Sequence, residues 1–342
     1  MFSQSQLHAA QPLIDLCVAY KPEEDDYIRN VFFPRKNVQR VTDKIRGISK
    51  GDILRLYDLD ASGDSQVAEV QYRIAADLTY SCNILAAKAR ISQIDVKNAD
   101  AALQHELRQT KQALTAIGQR MEYLAVNQTL RSTAVLTNNE TLAAGERWDN
   151  FSSSSSMPIE DMQAAIAQVR IKSGKRKSGK IKIAMHEFTW MSLLQHPNVL
   201  SRIQFNPAGT GSVLTRQILA SMLDIGADDL IVTAAQYTST DQGATDAYVA
   251  FLGSDVVIAM VDDGGLDDQA LGHEFVFDGL AGEDPFLVRK WREEGVGAVG
   301  TDFVGVACAA DYKVTNANAA FLFKAVLDTS DTERYGSTAL ID

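Results

Sequence analysis

The chain has 342 residues, 46% of them hydrophobic and 23% charged, with a formal net charge of −11. That length suits two modest domains or one body with extensions, and the acidic balance argues against a protein that coats nucleic acid through Lys and Arg. Cys17, Cys82 and Cys308 lie far apart with no CxxC pair, which argues against a disulfide framework or a zinc site and for buried thiols in a reducing compartment. The N-terminal MFSQSQLHAAQPL lacks the charged start and apolar run of a signal peptide, and no run approaches a membrane span. A soluble cytosolic product is expected.

Residues up to about Gly47 carry Pro12, Pro22 and Pro34, an acidic knot from Glu23 to Asp26, then basic residues from Arg35 to Arg46. The apolar pieces Val31, Phe32 and Phe33 lack periodicity, so this arm is expected to need a partner surface to order it. From Asp52, DILRLYDL, the polar DASGDSQ and VAEVQYRI follow one another, with Val70, Tyr72 and Ile74 alternating against Glu69, Gln71 and Arg73. This spacing predicts a long β-hairpin from Asp52 to Ile74, a projecting arm with charged sides. Between Val96 and Thr133, Leu103, Leu107, Thr110, Leu114, Ile117, Met121, Leu124 and Gln128 recur at steps of four and three. The stripe predicts a helix about 55 Å long, a spine against which a sheet or hairpin leans. Thr110 and Gln128 within it argue against a coiled-coil dimer.

A loop-rich passage then leads to five consecutive serines, Ser152 to Ser156. Ser156 is expected to cap a helix with Pro158, Glu160 and Asp161 in its first turn and an apolar face of Ile159, Met162, Ala165, Ile166 and Val169. After the basic loop KSGKRKSGK, KIKIAM alternates as a strand and EFTWMSLLQH reads as a short helix stopping before Pro197. SVLTRQILASMLDIG places Leu214, Ile218, Met222 and Ile225 at helical spacing and ends at Gly226. DLIVTAAQY, AYVAFLG and DVVIAMV read as strands, as do two segments near FLVRKWREEGVG and VGVACAADYKV, followed by AAFLFKAVL. Helices and strands mix without βαβ regularity, so the fold class is α+β.

The motifs that tempt are weak. Gly174 to Lys180 has the GxxxxGK spacing of a phosphate-binding loop, but Ile181 stands where a hydroxyl should meet magnesium, and a helix precedes where a strand should. A solvated basic loop is the better reading. Asp58, Asp60, Ser62 and Glu69 occupy calcium-loop positions with Gly63 at the turn, yet Ser65 replaces the usual apolar residue and the flanks read as strands. That stretch is expected to be a polar hairpin tip. His186-Glu187 opens like HExxH, but Trp190 takes the second histidine's place. His8, His105, His196 and His273 are scattered, and His196 before Pro197 reads as a helix end. Asp262, Asp263, Asp267 and Asp268 around Gly264-Gly265 read as an exposed loop. No catalytic, cofactor-binding or metal site is expected, and the chain is not expected to be an enzyme.

RWDNFSSSSSMPIEDMQAAI, from Arg147 and Trp148 onward, resembles the Trp, acidic residue, polar stretch and Pro-Ile-acidic helix signature of tailed-phage major capsid proteins. The following loop, IKIAM, the Trp-Leu-Leu helix, His196-Pro197-Asn198-Val199 and LASMLDIGADDLIVTAAQY are similar to that family too, most closely from Trp148 to Tyr237. The element order resembles the Hong Kong 97-like fold. The resemblance implies an N-terminal arm at 1–47, an extended β-hairpin loop at 48–91, a peripheral domain with a spine helix at 92–150, an axial domain at 151–285 and returning strands at 286–342. It further implies a self-assembling icosahedral shell of hexamers and pentamers around double-stranded DNA bound without sequence specificity. Scaffolding, portal and decoration proteins would be its partners, no membrane is involved, and assembly would occur in the host cytoplasm. The alternative of the same fold is an encapsulin-like shell holding a cargo enzyme.

Overall fold

The computed structural model describes residues 27–48, 56, 74–91, 102–173, 180–204, 214–238, 240–241, 243–262, 270–281, 286–295 and 300–330. In chain order, α1 (Arg29–Phe32), β1 (Arg35–Val38), β2 (Thr42–Ile48), β3 (Ile74–Ser81) and β4 (Asn83–Ile91) precede the long α2 (Ala102–Ala125), which runs into a π-turn at Val126–Leu130. Then come β5 (Asn139–Thr141), α3 (Pro158–Ser173), β6 (Lys180–His186), α4 (Glu187–Gln195), α5 (Pro197–Gln204), α6 (Arg216–Met222) and β7 (Leu230–Thr233). β8 (Gln236–Thr238), β9 (Tyr248–Ala250), β10 (Val256–Val261), β11 (Gly272–Phe277), α7 (Asp278–Ala281), β12 (Leu287–Glu293), β13 (Thr301–Val314) and β14 (Ala320–Lys324) complete the described elements. The mixture is α+β.

Two five-stranded sheets carry the molecule. In the first, β13 has β4 along one edge, while β12 and then β11 share the other, with β1 outside β11. Its inward residues, among them Val288, Val304, Val306, Cys308 and Tyr312, pack with α1 and α2. The second sheet has the order β5-β14-β10-β6-β7 and separates two cores. Val257, Ala259, Ala184, Ala320 and Leu322 face α2, whereas Ile258, Met260, Ile183, Met185, Phe321 and Phe323 face the helices α3 to α6. Every residue of β10 is therefore buried, which is why DVVIAMV is apolar without alternation. β6 and β7 are parallel, and α4, α5 and α6 form the crossover between them.

The structure corrects several expectations. Residues 27–33 need no partner: Ile28, Phe32 and Phe33 are at most 1% exposed in the main core. The hairpin ladder begins earlier and ends later than Asp52 to Ile74, since Thr42 pairs with Ser81 and Ile48 with Ile74. Its tip, including Asp58 to Glu69, lies outside the described residues, as does the spine before Ala102. The four-and-three stripe holds from Leu107 to Leu124, with Thr110, Leu114, Ile117 and Met121 buried and Leu107 and Leu124 packed against the main core, but the buried face of α2 is broader than that stripe and leaves it at Gln128. It advances by fours through Leu114, Gly118, Glu122, Val126 and Leu130, with Ala113, Ile117, Met121, Ala125 and Thr129 beside them. The face thus winds around the helix, and Leu124 is only half-buried while Gln128 is exposed.

Ser156 does not cap α3. Its hydroxyl donates to the Arg147 carbonyl at 2.7 Å, and the helix opens with Asp161 N–H on the Met157 carbonyl. α6 is shorter than expected, from the Thr215 cap to Met222. DLIVTAAQY divides into β7 and β8 because Thr233 Oγ1 accepts the Ala235 N–H and turns the chain. β1, β2, β4, β5 and β11 are strands that the sequence pattern does not announce. β4 hides its alternation behind alanines, and β11 is buried on nearly its whole length.

Candidate functional site

The N-terminal segment is fastened to α2 by a buried polar clamp. Glu122, 1% exposed, accepts the backbone N–H of Ile28 at 2.9 Å and of Arg29 at 3.2 Å, the groups that open α1. The Arg29 guanidinium in turn donates to the Gly118 carbonyl at 3.2 Å. Burial pushes the Glu122 carboxyl up to about 7, opposed by the Ile28 N–H and the Arg29 charge. Nearby, Tyr312 donates its hydroxyl to Glu274 at 2.8 Å and packs edge-on against Phe33. A second tie joins the two cores, where Arg131, just after the π-turn, pairs with the buried Asp255 at 2.7 Å. Asp255 also accepts the N–H of Ala325, whose φ of 53° is left-handed.

The hairpin leaves from the outer face of the first sheet. Tyr80 stacks on Phe275 at 4.7 Å and Ser81 N–H donates to Asp311 at 2.9 Å, while Ile45 and Cys82 close a small separate core with Ala309. The rest of that face is open. Lys88 and Arg289 flank Gly305, and Arg90 and Trp291 flank Phe303, in alternate rungs of β4, β13 and β12. A side chain at Gly305 would lie 2.7 Å from the Trp291 ring, so glycine lets the indole rest on the sheet beside Phe303. Lys88 sits 5.0 Å above the Phe303 ring. Sequence reasoning missed this patch because it forms only when β4, remote in the chain, aligns beside the pair β12 and β13.

The motif residues take structural roles where they are described. Trp148 is fully buried, with its indole N–H on Asp161 at 3.0 Å and its ring against Phe323, so the WD…PIED signature fastens the start of α3 to β14. His186 caps α4 through Nδ1 on Phe188 N–H, and burial pulls its imidazole down to about 4. Glu187 is exposed in the first turn of that helix. His196 ends α4 and opens α5, accepting Asn198 N–H at Nδ1. It lies 3.0 Å from Ser156, a pair that looks catalytic. Nδ1 is occupied as an acceptor, so Nε2 carries the proton and donates it to Ser156, whose own proton is on the Arg147 carbonyl. That arrangement cannot activate the serine. Burial pushes the thiols of Cys82 and Cys308 up to about 11 and about 12. Gly174 to Gly179, His8, Cys17 and Asp263 to Asp268 lie outside the described residues, and so does the side chain of His105. Among the described residues no group of three or more His, Cys, Asp and Glu could hold a metal, and no helix is long and apolar enough to cross a membrane.

No protein-family model and no curated protein sequence matches the chain. Solved structures do. A phage-related protein of Bordetella bronchiseptica RB50 aligns with a TM-score of 0.67 at 17% identity, over 93% of this chain and 98% of that one. A protein of E. coli CFT073 described as a prophage capsid protein gives 0.54 at 17% identity, over 94% and 99%. The chain shares their fold. The same fold extends to the SrpI encapsulin of Synechococcus elongatus PCC 7942, with a TM-score of 0.51 at 11% identity over 96% and 97% of the two chains.

Proposed function

We propose that this chain is the major capsid protein of a tailed phage or prophage, a structural, non-catalytic subunit that assembles itself into an icosahedral shell around double-stranded DNA. The observation that carries the reading is the likeness of fold across nearly the whole chain to a prophage capsid protein and a phage-related protein. In Hong Kong 97-like terms, the ribbon β2–β3 bears the extended loop and α2 is the spine of a peripheral domain built on the first sheet. The helices α3 to α6 on the second sheet belong to the axial domain. The hairpin, which leaves its own sheet, would lie on a neighbouring copy, and such head-to-tail contacts close into hexamers and pentamers. Scaffolding, portal and decoration proteins and the packaged genome are the partners this reading calls for, in a virion assembled in the host cytoplasm. The net charge of −11 fits a wall that does not bind the genome tightly.

A second reading, an encapsulin-like compartment, has the likeness to the SrpI encapsulin in its favour. Electron microscopy of the purified protein, beside a variant lacking residues 49–73, tests the proposal. Full-length protein should form closed shells and the variant should not. Shells that enclose a protein cargo and no nucleic acid favour the second reading, and a full-length protein that stays a small oligomer at high concentration overturns both.

A further inference from the structure

Resting on the capsid reading, we propose that the exposed side of α2 is the surface each subunit turns to the packaged duplex, with Arg108, Lys111 and Arg120 on DNA phosphates. One side of α2 is buried in the main core, and the other is open. The open side shows Arg108, Lys111, Gln112, Ala116, Gln119 and Arg120 to solvent. Between Leu107 and Arg131 the one carboxylate is Glu122, which is buried in the clamp. A helix side of cations and amides without an exposed acid stands out in a chain of net charge −11. Among the described residues neither Arg108 nor Arg120 has an ion pair. The Arg120 guanidinium lies 5.2 Å over the Tyr123 ring, which rests edge-on against Tyr237 at 5.5 Å, so the cation is held in place. From Arg108 to Arg120 the helix rises about 18 Å, a length over which a duplex presents about ten phosphate charges. The chemistry favours phosphate over protein. A protein interface needs an apolar centre, and Ala116 is the one apolar residue exposed along this side. Arg, Lys and Gln, by contrast, are side chains that meet phosphate oxygens. The cations on the opposite face of the first sheet differ, since Lys88 lies over Phe303 beside a flat Trp291, where there is apolar area to bury. Three cations per copy make each contact weak and salt-sensitive, and repetition over the shell supplies the hold.

Acetic anhydride labelling of DNA-filled and empty particles, separated on a density gradient, reads this contact by mass spectrometry. Lys111 should label several-fold less in filled particles than in empty ones, and Lys88 equally in both. Ultraviolet irradiation of filled particles should place nucleotide adducts in α2. The combined substitutions Arg108→Gln, Lys111→Gln and Arg120→Gln keep good helix formers at exposed positions, so the subunit should melt as before and still assemble. Its filled particles should release DNA at a temperature several degrees lower than unmodified ones. Equal labelling of Lys111 in filled and empty particles, or adducts confined to other elements, would overturn the inference and leave the capsid reading intact. A triple variant that packages and releases DNA like the unmodified protein would overturn it as well. If the protein forms no particles, or its shells never hold nucleic acid, the capsid reading itself fails and this contact with it.

Discussion

Replacing Glu122 by Gln isolates the clamp between the N-terminal segment and α2. The carboxyl is 1% exposed and its pKa rises from 4.5 to about 7 on folding, chiefly through burial. Between those values the folded chain keeps a proton that the unfolded chain releases. Stability from this group is therefore full below pH 4.5 and is lost as pH rises through 7. At roughly 1.4 kcal/mol per pKa unit, the loss comes to about 3 kcal/mol. Glutamine does not titrate, so that slope disappears. Its amide keeps one acceptor for Ile28 or Arg29 and turns an NH2 toward the other donor, which leaves an unpaired buried N–H at a cost of about 1–3 kcal/mol. Glu122→Gln should accordingly melt lower than the unmodified protein at pH 5, by about 2–4 °C for each kcal/mol. The gap should close or reverse by pH 8. Thermal melting of both proteins across that range, at fixed salt, measures the difference curve. Parallel curves would mean that Glu122 is not a buried titrating clamp.

His186 should give the opposite sign. Its depressed pKa of about 4 means that its contribution is present above pH 6.5 and lost as pH falls through 4, so His186→Asn, which retains a capping oxygen, should flatten the acid limb of the melting profile. Arg131→Ala strands Asp255, 2% exposed, and should destabilise by about 3–5 kcal/mol in denaturant titration. Most of that loss should vanish when Asp255→Asn is added. Ile117→Asp, at 3% exposure, puts a charge against the main core and should leave little soluble protein, since burying it costs several kcal/mol, roughly a domain's whole margin; normal yields and melting would show that this face of α2 is not packed.

What could be read from the sequence was whatever repeats locally. β10, β14 and α3 were legible because their apolar residues are continuous or recur at the element's own period. His196 was legible as a helix end because Pro197 follows it. Glu122 was not, since a carboxylate on the buried face breaks the apolar pattern and its partners lie more than ninety residues earlier. The Lys88, Arg90, Arg289 and Trp291 patch was invisible for the same reason: only the pairing of β13 with β4 and β12 assembles it. Ser156 misled because a serine before a proline-led helix is a common cap, whereas here its hydroxyl donates to the Arg147 carbonyl and accepts from His196 Nε2.

Electron cryomicroscopy of the purified, concentrated protein tests the central claim most directly. The account predicts closed icosahedral shells whose subunits carry this fold, with each hairpin lying on the neighbouring subunit and nucleic acid inside when particles come from an infected or induced host. A protein that stays monomeric or forms only small closed oligomers at every concentration and salt would contradict it.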